Sequence, residues 1–329
     1  MRLHCADGLI VGVDLKQQQA AVTRLLCGLA PAQAAARVPS LFSLCAQAQG
    51  AAARAACAAA EDGIAAHEEV VVEVAAVRGE AAQEHLWRLL IDWPRELALA
   101  PQEHLLARWR RQLRRDAQSL SGADFLFFLE TEVLGMAPAT WLALRDLGAL
   151  RAWSEAAPGL AARLCQTLLA QEVALSSAWP EHSSETGAYG RRAGDSLLAS
   201  LATRPLLARL LARVQELTAM ALQDRRFAWP GTLQAQSPAP GSGWALAQTA
   251  RGALRHEVEV VAGKVTRYCI VAPTDRHFAP RGALAALLLG RTCADQAEAL
   301  TLARRYVLAL DPCVELRISL ADDGARARP

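Results

Sequence analysis

Eight cysteines are the residues with the clearest capacity for chemistry, because a thiolate is a nucleophile and a ligand for soft metals. They are Cys5, Cys27, Cys45, Cys57, Cys165, Cys269, Cys293 and Cys313. None of them form a CxxC pair, which excludes a zinc ribbon or a thioredoxin-type motif. The N-terminal residues carry Asp7 and Asp14 and lack a long apolar stretch, so no signal peptide is predicted. Scattered cysteines in a chain that is not secreted are expected to be reduced, buried and inert.

The other reactive residue types form no recognised catalytic pattern. The sequence has no GxSxG elbow, phosphate-binding loop, HExxH motif or GxGxxG motif. Its seven histidines occur singly, and each is better explained as a surface or core residue than as a metal ligand. Glu84, His85 and His256 have side chains suited to acid–base work, but nothing in their spacing requires it.

The composition indicates a globular chain with a sizeable core. Of its 329 residues, 53% are hydrophobic and 21% are charged, which excludes an intrinsically disordered protein. The net charge of +2 excludes binding to nucleic acid through bulk charge. No run of about 18 apolar residues occurs, so no transmembrane helix is predicted. Arginine supplies almost all the positive charge and alanine is very frequent, so arginine clusters are discounted as a compositional bias.

Apolar spacing predicts helices along most of the chain, and residues 9–15, which partly alternate, are compatible with an edge strand. The predicted helices cover 41–60, 70–90, 104–116, 125–134, 139–153, 160–174, 196–223, 283–289 and 295–310. Alternating residues at 254–261 and 265–271 flank a Gly-Lys turn and predict a β-hairpin. The predicted division is a helical body (1–228), a linker or long loop (229–247), the hairpin with helices that pack back on the body (248–320), and a disordered tail (321–329).

Four local patterns occur in order along the chain. They are SLFSLCAQAQGAAARAACAAAE (40–61), SETGAYGR (184–191), ARGALRHEVEVVAGKVTRYCIVAPTDRHFAPRG (250–282) and DPCVEL (311–316). Together they resemble the large subunit of nickel–iron hydrogenases. In that family, an RxCxxCxxxH motif and a C-terminal DPCxxCxxH motif bring four thiolates together around nickel and an iron that carries cyanide and carbonyl ligands. Residues 63–94 also resemble the helical region that follows the first motif.

Two of the four thiolates of that family are absent from this sequence. Cys45 stands at the second cysteine position of the first motif, and Cys313 stands at the first cysteine position of the last motif. The remaining positions hold other residue types, namely Phe42, Gln49, Leu316 and Ser319. A nickel site built from four soft thiolates cannot form with these residues. The sequence therefore predicts no nickel and argues against hydrogenase catalysis.

The resemblance implies that the iron half of the site is retained. Cys45 and Cys313 would be the metal ligands, and Arg251 and Thr274 would donate hydrogen bonds to bound cyanide. Pro273 would line an apolar side suited to carbon monoxide. The sulfurs of Cys45 and Cys313 are expected to lie close together, and at least one thiol is expected to ionise readily beside Arg251. The alternative is that both cysteines are inert core residues and that Arg251 is a structural ion-pair partner.

The segments LFSLCAQAQ and SETGAYGR are most similar to the HupK-type hydrogenase maturation proteins, which are truncated relatives of the large subunit. The resemblance implies a mainly α fold, a helical bundle like the large-subunit core with a small β-hairpin or sheet near the C-terminus. It also implies a cytoplasmic accessory protein without enzymatic activity, which holds the iron–cyanide–carbonyl unit before transfer. Its partners would be the large-subunit precursor and maturation chaperones of the HypC and HypD type, with neither nucleic acid nor membrane.

Two alternatives to the scaffold remain open. The first is a metal-free chaperone that mimics the large subunit and binds its maturation partners. The second is a degenerate large subunit with residual redox activity. Bound iron with its cyanide and carbonyl ligands separates the scaffold from the metal-free chaperone, and bound nickel separates it from the degenerate enzyme.

Overall fold

The computed structural model describes residues 1–15, 21–62, 74–176, 185–224 and 232–321. Only residue 321 of the expected disordered tail falls within these ranges. The expected helix at 70–90 is described from residue 74 onward. In the described part of the chain, no helix combines the length and the apolar character that crossing a bilayer requires.

Fifteen α-helices occur in these ranges. They are α1 Pro31–Arg37, α2 Ala46–Asp62, α3 Val74–Trp87, α4 Trp93–Glu96, α5 Glu103–Arg115, α6 Ala123–Phe128, α7 Pro138–Trp141, α8 Leu147–Ala156, α9 Leu160–Gln171, α10 Ala188–Arg191, α11 Ser196–Ser200, α12 Pro205–Ala221, α13 Pro273–His277, α14 Ala283–Leu288 and α15 Gln296–Leu310. A π-helical segment, Arg88–Asp92, joins α3 to α4. Seven strands accompany them: β1 Arg2–Ala6, β2 Leu9–Asp14, β3 Leu233–Ala239, β4 Ser242–Thr249, β5 Gly252–Val261, β6 Lys264–Val271 and β7 Ser319–Leu320.

Helix α12 lies in the larger of two hydrophobic cores and is buried along its whole length. It packs against α3, α9 and α15. Besides apolar residues it buries Arg209, Arg213, Gln215 and Glu216. Arg209 pairs with Glu185 at 2.6 Å, and Glu216 pairs with Arg191 at 2.8 Å. Charges inside a core must be paired in this way, because an isolated buried charge is strongly destabilising.

The second core lies between helix α2 and a four-stranded antiparallel sheet in the order β3-β4-β5-β6. Alanine dominates α2, so the helix is thin and the sheet approaches it closely. At Gly243 in β4, an added Cβ would overlap the carbonyl oxygen of Ala56 and lie 2.5 Å from the amide nitrogen of Ala60. Helix backbone and strand backbone are therefore almost in contact at this point.

The expectation of a helical bundle with one small β element near the C-terminus is wrong. The described residues form two sheets, and one of them contains the N-terminal strands. In this sheet β1 pairs antiparallel with β2 and parallel with β7, so the two ends of the described chain meet. The expected edge strand at 9–15 is confirmed as β2, Leu9–Asp14. The other two strands were not predicted, because a two-residue strand such as β7 is too short to show periodicity and its partner β1 is more than 300 residues away.

Most of the expected linker at 229–247 is also sheet, because residues 233–239 and 242–249 form β3 and β4. Buried and half-buried residues alternate strictly along β4, as in any strand with one face on a core. The buried positions include Gly243, Ala245 and Ala247, which are small and have low strand propensity. The close approach of α2 requires small residues there, and their composition imitates that of a loop.

We expect Gly243→Ala to lower the free energy of unfolding by about 2–3 kcal/mol, because the added methyl group meets helix backbone that cannot rotate away. Urea unfolding measures the effect. Gly194→Ala is the matched control, since an added Cβ at this exposed glycine meets no atom within 4 Å. Equal stability of the two variants would contradict the close contact between α2 and β4.

Candidate functional site

Cys45 lies directly before the first residue of α2. Its backbone adopts the left-handed conformation, with φ of 57°, which is uncommon for a residue other than glycine. The first turn of α2 is held by Glu80 of α3, whose carboxylate accepts hydrogen bonds from the amides of Gln47 at 2.9 Å and Ala48 at 3.1 Å. A carboxylate at a helix N-terminus is the expected partner for unpaired amides. This cap fixes the position from which the Cys45 thiol projects.

Arg251 occupies the two-residue turn between β4 and β5, and its side chain is only 2% exposed. Its guanidinium contacts three segments of the chain. Nη1 donates to Cys45 Sγ at 3.0 Å, and Nη2 donates to Glu84 Oε2 at 2.7 Å. Nε lies 3.3 Å from Asp311 Oδ1. The planar fork of arginine suits such a junction, because its donors point in fixed directions.

Residues 185–191, the described part of the SETGAYGR segment, pack against the Arg251 turn. An added Cβ at Gly187 would lie 3.1 Å from the carbonyl oxygen of Arg251. Gly252 has a φ of 135°, and an added Cβ there would overlap the Thr186 hydroxyl oxygen. The Thr186 hydroxyl accepts a hydrogen bond from the Ala253 amide at 3.0 Å. Two of the four sequence patterns that were singled out therefore meet in space, and their glycines are the residues that permit the approach.

Asp311 ends helix α15 and is the most heavily paired carboxylate of this region. Arg88 Nη2 lies 2.6 Å from Asp311 Oδ1, Arg213 Nη1 lies 3.2 Å from Oδ2, and Arg251 approaches Oδ1 as described. Burial by itself would raise the pKa of this carboxyl, but the guanidiniums of Arg251, Arg213 and Arg88 hold the pKa well below its usual range. The Asp311 carboxyl is therefore expected to carry its negative charge at neutral pH.

Thr274 and Cys313 form a second polar contact. The Cys313 amide donates to Thr274 Oγ1 at 3.1 Å, and Thr274 Oγ1 lies 3.1 Å from Cys313 Sγ. Since the hydroxyl oxygen accepts from the amide, its hydrogen is free to point at the thiol. The buried ring of Pro273 begins helix α13 and sets the direction of Thr274.

The predicted site residues therefore fall into two contacting pairs, Cys45 with Arg251 and Thr274 with Cys313. Asp311 connects the pairs, because it approaches Arg251 and stands two residues before Cys313 in the chain. The polar contacts link residues from both ends of the sequence. That the sulfurs of Cys45 and Cys313 lie side by side stays a prediction.

Sequence reasoning missed the ionic partners of this site. The sequence marks Glu84 only as a possible acid or base, and discounting arginine clusters as a compositional bias leaves Arg88 and Arg213 without a role. Asp311 was visible as the first letter of DPCVEL, yet no role was given to it. The available signal was that α12 places Arg213 among apolar residues, since an arginine in such a segment is buried only when it is paired.

The residues that stand in place of the cysteines and histidines of the two hydrogenase motifs have structural contacts of their own. Gln49 Oε1 lies 2.9 Å from His256 Nε2, and His256 Nδ1 lies 2.9 Å from the Tyr268 hydroxyl. This chain of hydrogen bonds ties α2 to β5 and β6. Phe42 packs against the core between α2 and the sheet, and Leu316 lines an open groove of about 490 Å³ beside Asp311.

The thiol of Cys45 is not an easily ionised group in this structure. Burial raises the pKa of Cys45 to about 12, and the carboxylates of Glu80 and Glu84 act in the same direction, although Arg251 opposes them. The expectation that a thiol beside Arg251 ionises readily is therefore wrong for Cys45. Within the ranges described above, no three His, Cys, Asp or Glu side chains are grouped to hold a metal ion. A metal bound here would have to displace the thiol proton and bring further ligands.

The fold of the chain is similar to that of solved hydrogenase structures. It is similar to the Ni-Fe-Se hydrogenase from Desulfomicrobium baculatum, with a TM-score of 0.55 and 13% identity over 94% of this chain and 95% of that one. It is also similar to the Ni-Fe-Se hydrogenase from D. vulgaris Hildenborough, with a TM-score of 0.52 and 14% identity over 94% of both chains. The family model described as nickel-dependent hydrogenase matches residues 166–316. The fold is that of a nickel-dependent hydrogenase large subunit.

Sequence relatives define the family more narrowly. The chain is 33% identical to the hydrogenase expression/formation protein HupK of Azotobacter vinelandii, over 97% of this chain and 98% of that protein. It is 35% identical to HupK of Rhodobacter capsulatus over 90% and 89%, and 30% identical to HoxV of Cupriavidus necator over 98% and 96%. The chain belongs to the family of HupK-type hydrogenase expression/formation proteins.

We expect Asp311→Asn to lower the free energy of unfolding by about 3–5 kcal/mol, because the change keeps the side-chain shape but leaves buried guanidiniums without their anion. Urea unfolding at neutral pH measures the loss. Glu103→Gln is the control, since it removes one carboxylate from an exposed pair with Arg95 and should change stability little. A comparably small effect at Asp311 would show that the three arginines do not depend on it.

We expect stability to fall when the pH is lowered from 7 to 5. Burial lowers the pKa of His256 from 6.5 to about 3, so the unfolded chain binds a proton that the folded chain does not. The expected loss from this histidine alone is about 2 kcal/mol over that interval. Urea unfolding of the wild type and of His256→Asn at pH 7 and pH 5 tests this expectation. The free energy of unfolding of the variant should fall by about 2 kcal/mol less over that interval than that of the wild type. An unchanged slope in the variant would show that His256 is protonated in the folded protein.

Proposed function

We propose that this protein acts in the maturation of nickel–iron hydrogenase as an accessory protein without enzymatic activity. Its relatives are named hydrogenase expression/formation proteins, which supports a role in making a hydrogenase. The observation that carries the finer proposal is the pair of contacts at the site. Each of two thiols meets a hydrogen-bond donor, Cys45 with Arg251 and Cys313 with Thr274, in a fold that has lost two thiolate positions.

The cargo that suits this site is an iron that carries its own cyanide and carbonyl ligands. Such a unit brings most of its ligands with it, so two protein thiolates suffice where a bare metal ion would need three or four protein ligands. Cys45 and Cys313 supply the soft sulfur donors. The guanidinium of Arg251 and the hydroxyl of Thr274 supply hydrogen-bond donors beside them, and the nitrogen of a bound cyanide accepts such bonds.

The protein's own groups determine how readily the cargo binds. The raised pKa of Cys45 means that its proton must leave when the metal is bound, and Arg251 Nη1 then faces a full negative charge on sulfur. Asp311 keeps Arg251 oriented, and Glu84 accepts from its other terminal nitrogen. A thiolate that forms only with the metal and reverts to a thiol without it is suited to a carrier that must release its load.

The partners follow from this role and belong to the same proposal. The large-subunit precursor would receive the unit, and maturation chaperones of the HypC and HypD type would deliver it, in the cytoplasm. The similarity of fold to the large subunit supports an encounter with the same chaperones, because this chain presents them with a related surface. Neither nucleic acid nor membrane takes part.

A second candidate is a metal-free chaperone that imitates the large subunit. One observation favours it: the Cys45 thiol accepts a hydrogen bond from Arg251 and has a pKa of about 12, so it is stable as a neutral thiol without metal. In that case Cys45 and Arg251 would hold the N-terminus of α2 to the β4–β5 turn and nothing more. The two candidates differ in bound iron.

We expect the protein purified anaerobically from cells with an active maturation system to show infrared bands of bound cyanide and carbonyl. Cys45→Ala and Cys313→Ala should each abolish these bands and prevent maturation of the hydrogenase in the same cells. Each change should lower the free energy of unfolding of this protein by only about 1 kcal/mol. Arg251→Lys should weaken maturation less, because the charge is kept and the fork is lost. Cys27→Ala, at an exposed cysteine, is the control and should change neither readout.

The outcomes separate the candidates. Bands that persist in both cysteine variants would overturn the assignment of the ligands. Maturation that depends on the protein while the wild type carries no iron would establish the metal-free chaperone. One tightly bound nickel per chain would instead indicate a degenerate hydrogenase, contrary to the loss of thiolates at Phe42 and Leu316.

A further inference from the structure

Helix α5 carries a dense group of positive charges on its solvent side. Five of its residues are arginine, namely Arg108, Arg110, Arg111, Arg114 and Arg115. All of them except Arg110 are exposed. The single carboxylate of the helix, Glu103, stands in the first turn and pairs with Arg95, which lies outside the helix. No carboxylate within α5 therefore balances its arginines.

Three of these arginines form a row that faces away from the core. The inner face of α5 consists of three buried residues, Leu106, Trp109 and Leu113. Residues three, four and seven positions apart share one face of a helix, so Arg108, Arg111 and Arg115 lie together on the outer face. At a rise of about 1.5 Å per residue, this arginine row is about 10 Å long.

In the part of the chain that the structure describes, no carboxylate forms an ion pair with an arginine of α5. Arginines elsewhere are paired, for example Arg209 with Glu185 and the exposed Arg267 with Glu259. Like charges three or four positions apart destabilise a helix. The arginine row is therefore unfavourable in the protein alone, and carboxylates from a partner would relieve the repulsion.

The helix dipole explains only part of this cluster. It favours arginine in the last turn, which accounts for Arg114 and Arg115 but not for Arg108 or Arg111. Compositional bias is also insufficient as an explanation, because it does not place three arginines on one outer face without a carboxylate among them.

An aromatic ring that is 36% exposed lies beside the same helix. It belongs to Trp87, the last residue of α3, and the guanidinium carbon of Arg110 lies 4.7 Å from its ring centroid. The attraction between a guanidinium and an indole face holds this arginine side chain in place. Tryptophan and arginine are enriched among the residues that contribute most to binding between proteins.

We propose that the arginine row is a docking surface for an acidic segment of a partner protein, whose carboxylates follow the same helical spacing. Each guanidinium can bind a carboxylate through two parallel hydrogen bonds, which gives the contact direction as well as charge. The inference goes beyond the iron unit and its ligands, and it stands whether or not the protein carries metal.

Nucleic acid and anionic lipid fit this surface less well. Glu103 and Asp116 place a negative charge at each end of α5, and the whole chain has a net charge of only +2. Nucleic acid is bound by a longer basic stripe on a strongly basic domain. A helix that lies on a lipid surface inserts its apolar face, but the apolar face of α5 is buried in the larger core.

The test measures binding of a fluorescent helical peptide, with glutamates at positions i, i+3 and i+7, by anisotropy at two salt concentrations. We expect one peptide to bind per chain and salt to weaken the complex. The variant that combines Arg108→Glu, Arg111→Glu and Arg115→Glu should bind about tenfold more weakly or less well still. This row variant should instead bind the same peptide with lysine in place of glutamate, which also shows that it is folded.

The matched control combines Arg37→Glu, Arg151→Glu and Arg163→Glu, which make the same change of charge at exposed arginines of α1, α8 and α9. Its affinity for the glutamate peptide should be nearly unchanged. Absence of binding to the wild type, an undiminished affinity of the row variant, or an equal loss in the control would overturn the docking surface.

Two further probes test the chemistry of the partner. A peptide with the same glutamates dispersed around the helix should bind more weakly, and equal binding would overturn the helical spacing. A short DNA duplex and vesicles of phosphatidylglycerol and phosphatidylcholine should bind more weakly than the glutamate peptide. Tighter binding of either probe, lost in the row variant, would overturn the assignment to an acidic protein segment.

Discussion

The buried carboxylate of Asp311 is the group on which the arrangement of the site depends. Three guanidiniums approach it, from the segment after α3, from α12 and from the β4–β5 turn. Each arginine would be costly to bury alone, and one anion at their centre makes all three tolerable. Because the arginines come from distant parts of the chain, this one contact sets α15, α12 and the sheet relative to each other. The thiols of Cys45 and Cys313 take their positions from that junction.

The close packing of α2 against the sheet is the second constraint. Alanines on the helix and glycine and alanine on β4 bring two backbones together, and Gln49, His256 and Tyr268 form the polar link across the interface. Side chains of this size contribute little hydrophobic free energy individually, so the stability of the interface comes from close packing and from satisfied polar groups. That packing holds Cys45, at the start of α2, against Arg251.

The site residues contact one another in pairs. Arg251 donates to the Cys45 thiol, Thr274 contacts the Cys313 thiol, and the raised pKa of Cys45 favours the neutral thiol. The sequence had suggested a reactive thiol beside an arginine. Burial outweighs that arginine here, because removing a thiolate from water costs more than one already paired guanidinium returns. The balance between the two depends on depth, which no residue pattern reveals.

By itself, the sequence determined the family, the loss of two thiolate positions at Phe42 and Leu316, most of the helices, and the hairpin of β5 and β6. These features depend only on residue identity or on residue spacing within a short segment, so a short window of sequence suffices to predict them. Only the tertiary structure decided that the chain ends pair in a sheet, that a loop-like segment forms β3 and β4, and that Asp311 gathers three arginines. Each of these depends on contacts between residues far apart in sequence, where small side chains or charges acquire their role from a neighbour that the local pattern does not contain.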